Sequence, residues 1–363
     1  MELSDVTLRE GDQMPGRSYN VEQKVAAGKT LDKLGLEYIQ AGFPITGETD
    51  REAIRRLSEA TDANIIGLAR ATQRDVDAAL EANADVIEVF LSISDKQLEH
   101  VLGMSREEAL AALAEAVDRG RDGGASVHVS LADAFRATPE DIREVAEALP
   151  DVEYITLADT VGARVPASVR TYLQDLEDIV DLDRIGVHFH DDLGVATANV
   201  LTAYEVGVAR ADVSVAALGE RAGNPALEEV VAAGATEYDE PFGVDESQLI
   251  PSCHNVLDTL DEAVDPRKAV LGSEVCEHES GIHTTAMLDE PSVFEPFNPE
   301  RFGSERRLLF GANTGRTGAK KLLVRAGVDP TEERVTEFLD CLAEEGDLET
   351  EEAVALATST FET

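Results

Sequence analysis

The feature that most constrains this chain is an alternation. Eight short segments rich in β-branched and apolar residues recur at about Leu3–Leu8, Glu37–Ala41, Asn64–Ala69, Val86–Leu91, Ser126–Leu131, Tyr154–Ala158, Ile185–Phe189 and Asp212–Ala216. Amphipathic stretches with helical spacing lie between them, among them Val21–Leu34, Asp50–Ala60, Arg74–Ala82, Arg106–Arg119 and Pro139–Leu149. Parallel strands need long crossovers, and a strand–helix unit repeated eight times is the pattern of a (β/α)8 TIM barrel. An open doubly wound sheet is the competing arrangement. No GxGxxG follows the first segment, which weakens a dinucleotide-binding reading. From about Tyr238 the repeat is lost. The expected organisation is an α/β barrel over 1–265, followed by a small, mostly helical C-terminal domain over 266–363.

Functional side chains of such barrels gather at the C-terminal ends of the strands. Here Arg9, Glu10, Asp12 and Gln13 follow the first segment, and Arg70 ends the third. His128 and Ser130 lie in the fifth, Thr160 follows the sixth, and Gly219-Glu220-Arg221-Ala222-Gly223-Asn224 follows the eighth. In the seventh, Val187 and Phe189 alternate with His188 and His190. A strand has period two, so both imidazoles face the same side. With Glu10, on a strand that can be near the seventh in a closed barrel, they form a two-His, one-carboxylate set. That set takes a hard or borderline divalent ion (Mg, Mn or Zn) and leaves positions open for substrate.

Two uses compete: Lewis-acid binding of a 2-oxo acid, and an Fe(II) oxygenase triad, which usually sits on an all-β architecture. Arg9 is placed to stabilise an oxyanion on the carbonyl, or to pair with Glu10 or Asp12. Thr160 could hold the substrate carboxylate or be structural. Asn224 could reach the metal or its water. Gly219, Glu220 and Gly223 precede a helical stretch at Pro225–Val231, where backbone N–H groups could hold a phosphate or carboxylate. The size of the substrate pocket depends on how Phe43, Arg70, Ser92 and His128 face inward.

Charge narrows the partners. Asp and Glu number 73 against 31 Lys and Arg, a net charge of −42, and the acid is spread along the chain. Seven of the basic residues are Lys. Scattered acid with little lysine suits a halophilic protein, kept soluble in very high salt where screening cancels self-repulsion. Nucleic acid and anionic membranes are poor partners for such a surface. No apolar run approaches a membrane span, and MELSDVTLRE lacks the features of a signal peptide. Cys253, Cys276 and Cys341 are far apart and form no CxxC, as expected of free thiols in a reducing cytoplasm.

Thr7–Gly16 (TLREGDQMPG), Gly186–Asn199 (GVHFHDDLGVATAN), Gly219–Asn224 (GERAGN) and His278–Leu288 (HESGIHTTAML) occur in order. Together with GFPITGETD at Gly42–Asp50, GLARAT at Gly67–Thr72 and ADTVG at Ala158–Gly162, they resemble the metal-dependent acetyl-CoA-condensing synthases of 2-isopropylmalate, homocitrate and citramalate. The matches run from residue 7 to about 326. The resemblance implies a barrel and a C-terminal lid, usually in a homodimer. It implies a divalent ion held by Glu10, His188 and His190, with Asn224 close by. Arg9 and Thr160 would contact the 2-oxo acid, and His283 would lie near acetyl-CoA and serve in base or proton-relay work, a role that suits imidazole. The implied reaction is a Claisen condensation. The acetyl methyl loses a proton, the enolate attacks the 2-oxo carbon, and water cleaves the thioester.

Departures from the family pattern bear on substrate and activity. LREG at Leu8–Gly11 is similar to lysine-pathway homocitrate synthases, whereas GFP and GLARA resemble the isopropylmalate side. An acidic residue of relatives falls on Ala132, and alternation turns the neighbouring Asp133 to the other face. His128 stands where some homocitrate synthases carry an Arg for the distal carboxylate, which argues against 2-oxoglutarate. The chain reaches residue 363 without a leucine-binding regulatory domain, so no leucine inhibition of that type is expected. The leading expectation is 2-isopropylmalate synthase in leucine biosynthesis, with homocitrate or citramalate synthase behind it. A carbon–carbon lyase like 3-hydroxy-3-methylglutaryl-CoA lyase and a non-catalytic oxo-acid sensor are the readings outside that class.

Overall fold

The computed structural model describes residues 1–361; the last two positions of the expected C-terminal domain, Glu362 and Thr363, lie outside the described residues. The chain divides into two compact units, Met1–Val264 and Asp265–Thr363. The first is a closed barrel of eight parallel strands in sequence order: β1 Glu2–Asp5, β2 Tyr38–Gly42, β3 Asn64–Arg70, β4 Val86–Ser92, β5 Ser126–Ala132, β6 Ile155–Asp159, β7 Ile185–Phe189 and β8 Arg210–Val213. Closure occurs where β1 pairs with β8, Ser4 opposite Asp212.

The strands alternate between two burials. One set of side chains packs outward under the helices; Ile39, Ile65, Ile87, Val129, Leu157, Val187 and Ala211 are all buried there. The other set fills the barrel interior, and much of it is polar. The register places Glu88 opposite His128, Phe90 opposite Ser130, Ser92 opposite Ala132, and Ala158 opposite His188. Polar groups buried in this way call for partners, and Gln40, Glu88, His128, Arg210, His188 and Asp212 bond to one another inside the barrel.

Two strands differ from the sequence expectation. The first ends at Asp5, and Thr7–Glu10 forms a helical turn that runs on into a 3-10 turn at Gly11–Gln13. Asp5 causes this: its carboxylate accepts the Thr7 N–H (2.9 Å) and the Thr7 hydroxyl (2.8 Å), caps that favour a turn over extended chain. The eighth strand begins two residues earlier than expected and stops at Val213. Ala216 and Ala217 then take left-handed conformations. The Ala216 N–H bonds to Glu228 and the Val215 N–H to the Thr7 hydroxyl, so side chains replace the ladder partners there.

Burial pushes the Asp5 carboxyl up to about 7 against its two Thr7 bonds, and Asp212 and Glu228 add to the rise. Its pKa is raised on folding, so the folded state binds the extra proton between about pH 4 and 7. The stability this proton brings is complete at the acid end and is lost as pH rises towards 7. Asp5→Asn is therefore expected to flatten the fall in melting temperature between pH 5 and 7.5. An unchanged slope in a thermal-shift series would contradict this assignment.

The second unit has a three-stranded sheet of β9 Glu277–His278, β10 Arg307–Phe310 and β11 Leu348–Glu349. Helices at Gly281–Met287, Arg316–Arg325, Glu332–Glu345 and Thr350–Phe361 surround its own core, which includes Phe310, Leu322, Phe338 and Leu342. Among the described residues no helix is long and apolar enough to cross a membrane.

Candidate active site

β7 carries His188 inward at its C-terminal end, and His190 follows one residue beyond it. The two rings lie 5.0 Å apart, edge to face. The helical turn after β1 brings Glu10 against them, with its Oε1 3.4 Å from His188 Nε2. One donor atom from each of Glu10, His188 and His190 falls within 4.8 Å of the others, and all three residues are buried.

The donors are prepared for a cation. Asp212 Oδ2 lies 3.0 Å from His188 Nδ1, which fixes the ring and leaves Nε2 facing Glu10. Burial opposes charge on His188, yet the Asp212 bond carries its pKa above the ordinary value. Burial and the His188 charge push His190 down to about 3, so it is a neutral imidazole. Burial also opposes the Glu10 carboxylate, but Arg9 and both imidazoles outweigh it and hold it below the usual range. Glu10 Oε2, His190 Nδ1 and Asn224 Oδ1 are buried without a hydrogen-bond partner. Such orphans are costly in a protein interior, and a divalent ion is what a set of unpaired carboxylate, imidazole and amide acceptors fits.

Asn224 is held in place through its Nδ2, which donates to the Phe189 carbonyl at 3.0 Å and lies 3.3 Å from His188 Nε2, while its Oδ1 has no partner. The surrounding glycines serve this placement. A Cβ on Gly219 would fall 2.1 Å from Asn224 Oδ1, and one on Gly223, at φ +89°, would strike the Ala217 carbonyl. The helix after this loop starts at Leu227 rather than Pro225.

These groups open onto a cavity of about 200 Å³. Arg9, Glu10, Gln13, Glu220, His188, His190 and Asp212 line its polar side. Leu68, Phe90, Ala132 and Ala158 give it an apolar wall, and Ser130, Thr160 and Glu88 complete the lining. Arg9 bonds to Glu10 and, through Nε, to Gln40. Thr160 Oγ1 accepts the Asp133 N–H at 2.8 Å, so its own proton remains to be donated. Ala132 does face the cavity. Asp133 takes a left-handed backbone and turns away, where Ser94 and Arg136 donate to it.

Two expected substrate residues lie elsewhere. Arg70 is captured by Asp75, with bonds of 2.6 and 3.1 Å from the next helix, and it lies over the Phe43 ring rather than in the cavity. His128 sits too deep. It is fully buried among Tyr38, Tyr154 and Arg210, and burial together with the Arg210 charge keeps it neutral. His283 belongs to the second unit, stacked on Phe294 with ring centroids 3.9 Å apart.

Three cavity-related residues were not foreseen: Glu88, Asp212 and Arg210. Their signal was present, since VIEVF and RADV place charges inside strands at the positions that alternate with buried apolar ones. Asp212→Asn is expected to weaken binding of Mn²⁺ about 10–100-fold, because the amide both lowers the basicity of His188 and can select the wrong tautomer. Calorimetric titration of metal-free protein reads this directly, and unchanged affinity would contradict it.

A closed parallel barrel with a His-His-carboxylate cluster at its catalytic end defines a metal-suited TIM-barrel enzyme. The chain matches the family described as HMGL-like over residues 1–251 and the homocitrate synthase post-HMGL domain-like family over residues 270–350, and it belongs to the HMGL-like family. Within that family it is an acyl-transferring condensing enzyme. It is 40% identical to homocitrate synthase AksA of Methanopyrus kandleri, over 94% of this chain and 87% of that protein. A probable 2-isopropylmalate synthase and a putative (R)-citramalate synthase of the same organism are each 38% identical, over 95% of this chain and 70% and 69% of theirs. These relatives carry three different named activities at nearly equal identity. In fold, the unit resembles the HMG-CoA lyase of Bacillus subtilis, with a TM-score of 0.64 at 24% identity, over 73% of this chain and 95% of that one.

Proposed function

We propose that this chain condenses acetyl-CoA with a 2-oxo acid, most like a 2-isopropylmalate synthase acting on 2-oxoisovalerate in leucine biosynthesis. One observation carries the reading: the buried, incompletely bonded Glu10–His188–His190 cluster shares a cavity with an apolar wall of Leu68, Phe90, Ala132 and Ala158. Glu10, His188 and His190, with Asn224 beside them, are the residues that would hold a divalent ion. Bound there, the ion would supply Lewis-acid polarisation of a 2-oxo group. Arg9 offers N–H groups where negative charge develops as the 2-oxo carbon is attacked. Thr160 donates its free proton to the substrate carboxylate. The apolar wall receives a branched side chain, and His283 is assigned the proton transfer at the acetyl methyl. The reading includes a cytoplasmic, high-salt setting and a homodimer.

The test is thiol release from acetyl-CoA in molar KCl with Mn²⁺ or Mg²⁺, against 2-oxoisovalerate, pyruvate, 2-oxoglutarate and glyoxylate. The expected result is release that is strongest with 2-oxoisovalerate. No release with any acid from folded, metal-loaded protein would overturn the proposal. Cleavage of a hydroxyacyl-CoA without condensation would favour a lyase in its place.

A further inference from the structure

Beneath the cavity lies a charged group that the proposed chemistry does not use. Arg210, on β8, is the largest of the fully buried side chains. Its guanidinium lies over Tyr38 and Tyr154, 4.9 and 5.4 Å from their ring centroids. It donates to Glu88 Oε2 at 3.1 Å and to His128 Nδ1 at 2.6 Å, and it lies 3.7 Å from Asp212 Oδ1. Its Nε has no partner. Glu88, from β4, stands between this arginine and the cavity, which it lines. Gln40 donates to the same Glu88 oxygen at 3.1 Å and accepts from Arg9, so Glu88 is held from both sides.

We propose that Glu88 is a specificity-determining residue: it occupies Arg210 and thereby excludes 2-oxo acids that carry a second carboxylate. The inference rests on the reading of this cavity as the 2-oxo acid site. The argument is one of charge. A distal carboxylate entering past Leu68 and Phe90 would meet a carboxylate, not a cation, and would be buried unpaired. Arg70 is committed to Asp75 outside the cavity, and Arg9 lies at the Glu10 end. Arg210, the cation bonded to Glu88, is already faced by two carboxylates, Glu88 and Asp212. An uncharged side chain meets no such penalty. The same arrangement makes the exclusion reversible, because removal of the Glu88 charge would leave Arg210, with a spare N–H, next to the floor.

The test compares kcat/KM for 2-oxoisovalerate and 2-oxoglutarate in the wild type, in Glu88→Gln, and in the double variant Glu88→Gln with Arg210→Gln. Calorimetric binding of 2-oxoglutarate in the presence of Mg²⁺ is measured alongside. The wild type is expected to favour 2-oxoisovalerate. Glu88→Gln is expected to move the ratio towards 2-oxoglutarate by at least about tenfold and to tighten its binding, and the double variant to lose that gain, since like-charge contact and its relief are the terms at work. An unchanged ratio in folded Glu88→Gln, or a gain retained in the double variant, would overturn the inference. If Glu88→Gln does not fold, the wild-type ratio decides: 2-oxoglutarate used as well as 2-oxoisovalerate overturns it while leaving the condensing reaction intact. Absence of condensation with every acid overturns the function first, and the inference with it.

Discussion

His188→Ala is expected to reduce condensing activity by about three orders of magnitude or more. The imidazole holds one of three converging donor atoms, and Nε2 is the end that faces Glu10 and Asn224 because Asp212 engages Nδ1. Deleting it leaves Glu10 and His190 as a two-point site, too weak to retain a divalent ion against water. Lewis-acid polarisation is worth several kcal/mol at the transition state, and each 1.4 kcal/mol is about a factor of ten in rate. The variant removes a donor atom itself rather than the carboxylate that orients it, so calorimetry should show metal affinity falling further than the 10–100-fold expected for Asp212→Asn. The relative order matters: direct donor first, orienting carboxylate second. His188→Ala retaining more than a tenth of wild-type thiol release at saturating Mn²⁺ would remove this cluster from the chemistry.

The barrel was legible because its signal is redundant. Eight strands and their helices repeat one pattern, and an error in one unit does not change the closure. The early end of β1 has a local cause, Asp5 accepting from Thr7 two residues on, which apolar alternation passes over; the offset of β8 was not legible because its causes are side chains outside the strand, the Thr7 hydroxyl accepting from Val215 and Glu228 from Ala216. The inward histidines were legible from period two alone. Arg70 and His128 were misplaced for opposite reasons. Arg70 sits at a strand end, where a neighbouring acid, Asp75, competes with any substrate. His128 has the right face but the wrong depth, one layer below Ser130, and depth depends on strand stagger that no local pattern encodes. Glu88, Asp212 and Arg210 could have been found by asking which charges sit inside otherwise apolar strands. Their pairing belongs to the closed barrel, where β4 and β8 meet across the interior.

Lys24→Met is expected to destabilise the protein by about 3–5 kcal/mol, the range for breaking a buried ion pair and leaving its partner charged. In sequence, Lys24 reads as one more polar residue on the helix Val21–Leu34. In the structure it is wholly buried, with Nζ 2.6 Å from Asp50 and 2.7 Å from Asp12. Asp12 lies on the turn that follows Glu10. Asp50 binds the Phe43 N–H and the Thr46 hydroxyl, and it needs Gly42, since a Cβ there would fall 2.6 Å from its Cγ. One ammonium therefore ties the loop after β1 to the loop after β2. The GFPITGETD motif finds a structural explanation in this tie rather than in contact with substrate. Removing the ammonium leaves two carboxylates facing each other without a cation, next to the turn that carries Glu10. Salt screens exposed charges far better than buried ones. The loss of melting temperature should therefore persist in molar KCl, whereas surface pairs such as Arg56 with Glu22 should matter little there. Adding Asp50→Asn to Lys24→Met should recover part of the loss, because it removes one of the stranded charges. A Lys24→Met melting curve that returns to wild type in molar KCl would mean that Lys24 acts as a surface charge and that the tie between the two loops is not what holds Glu10 in position.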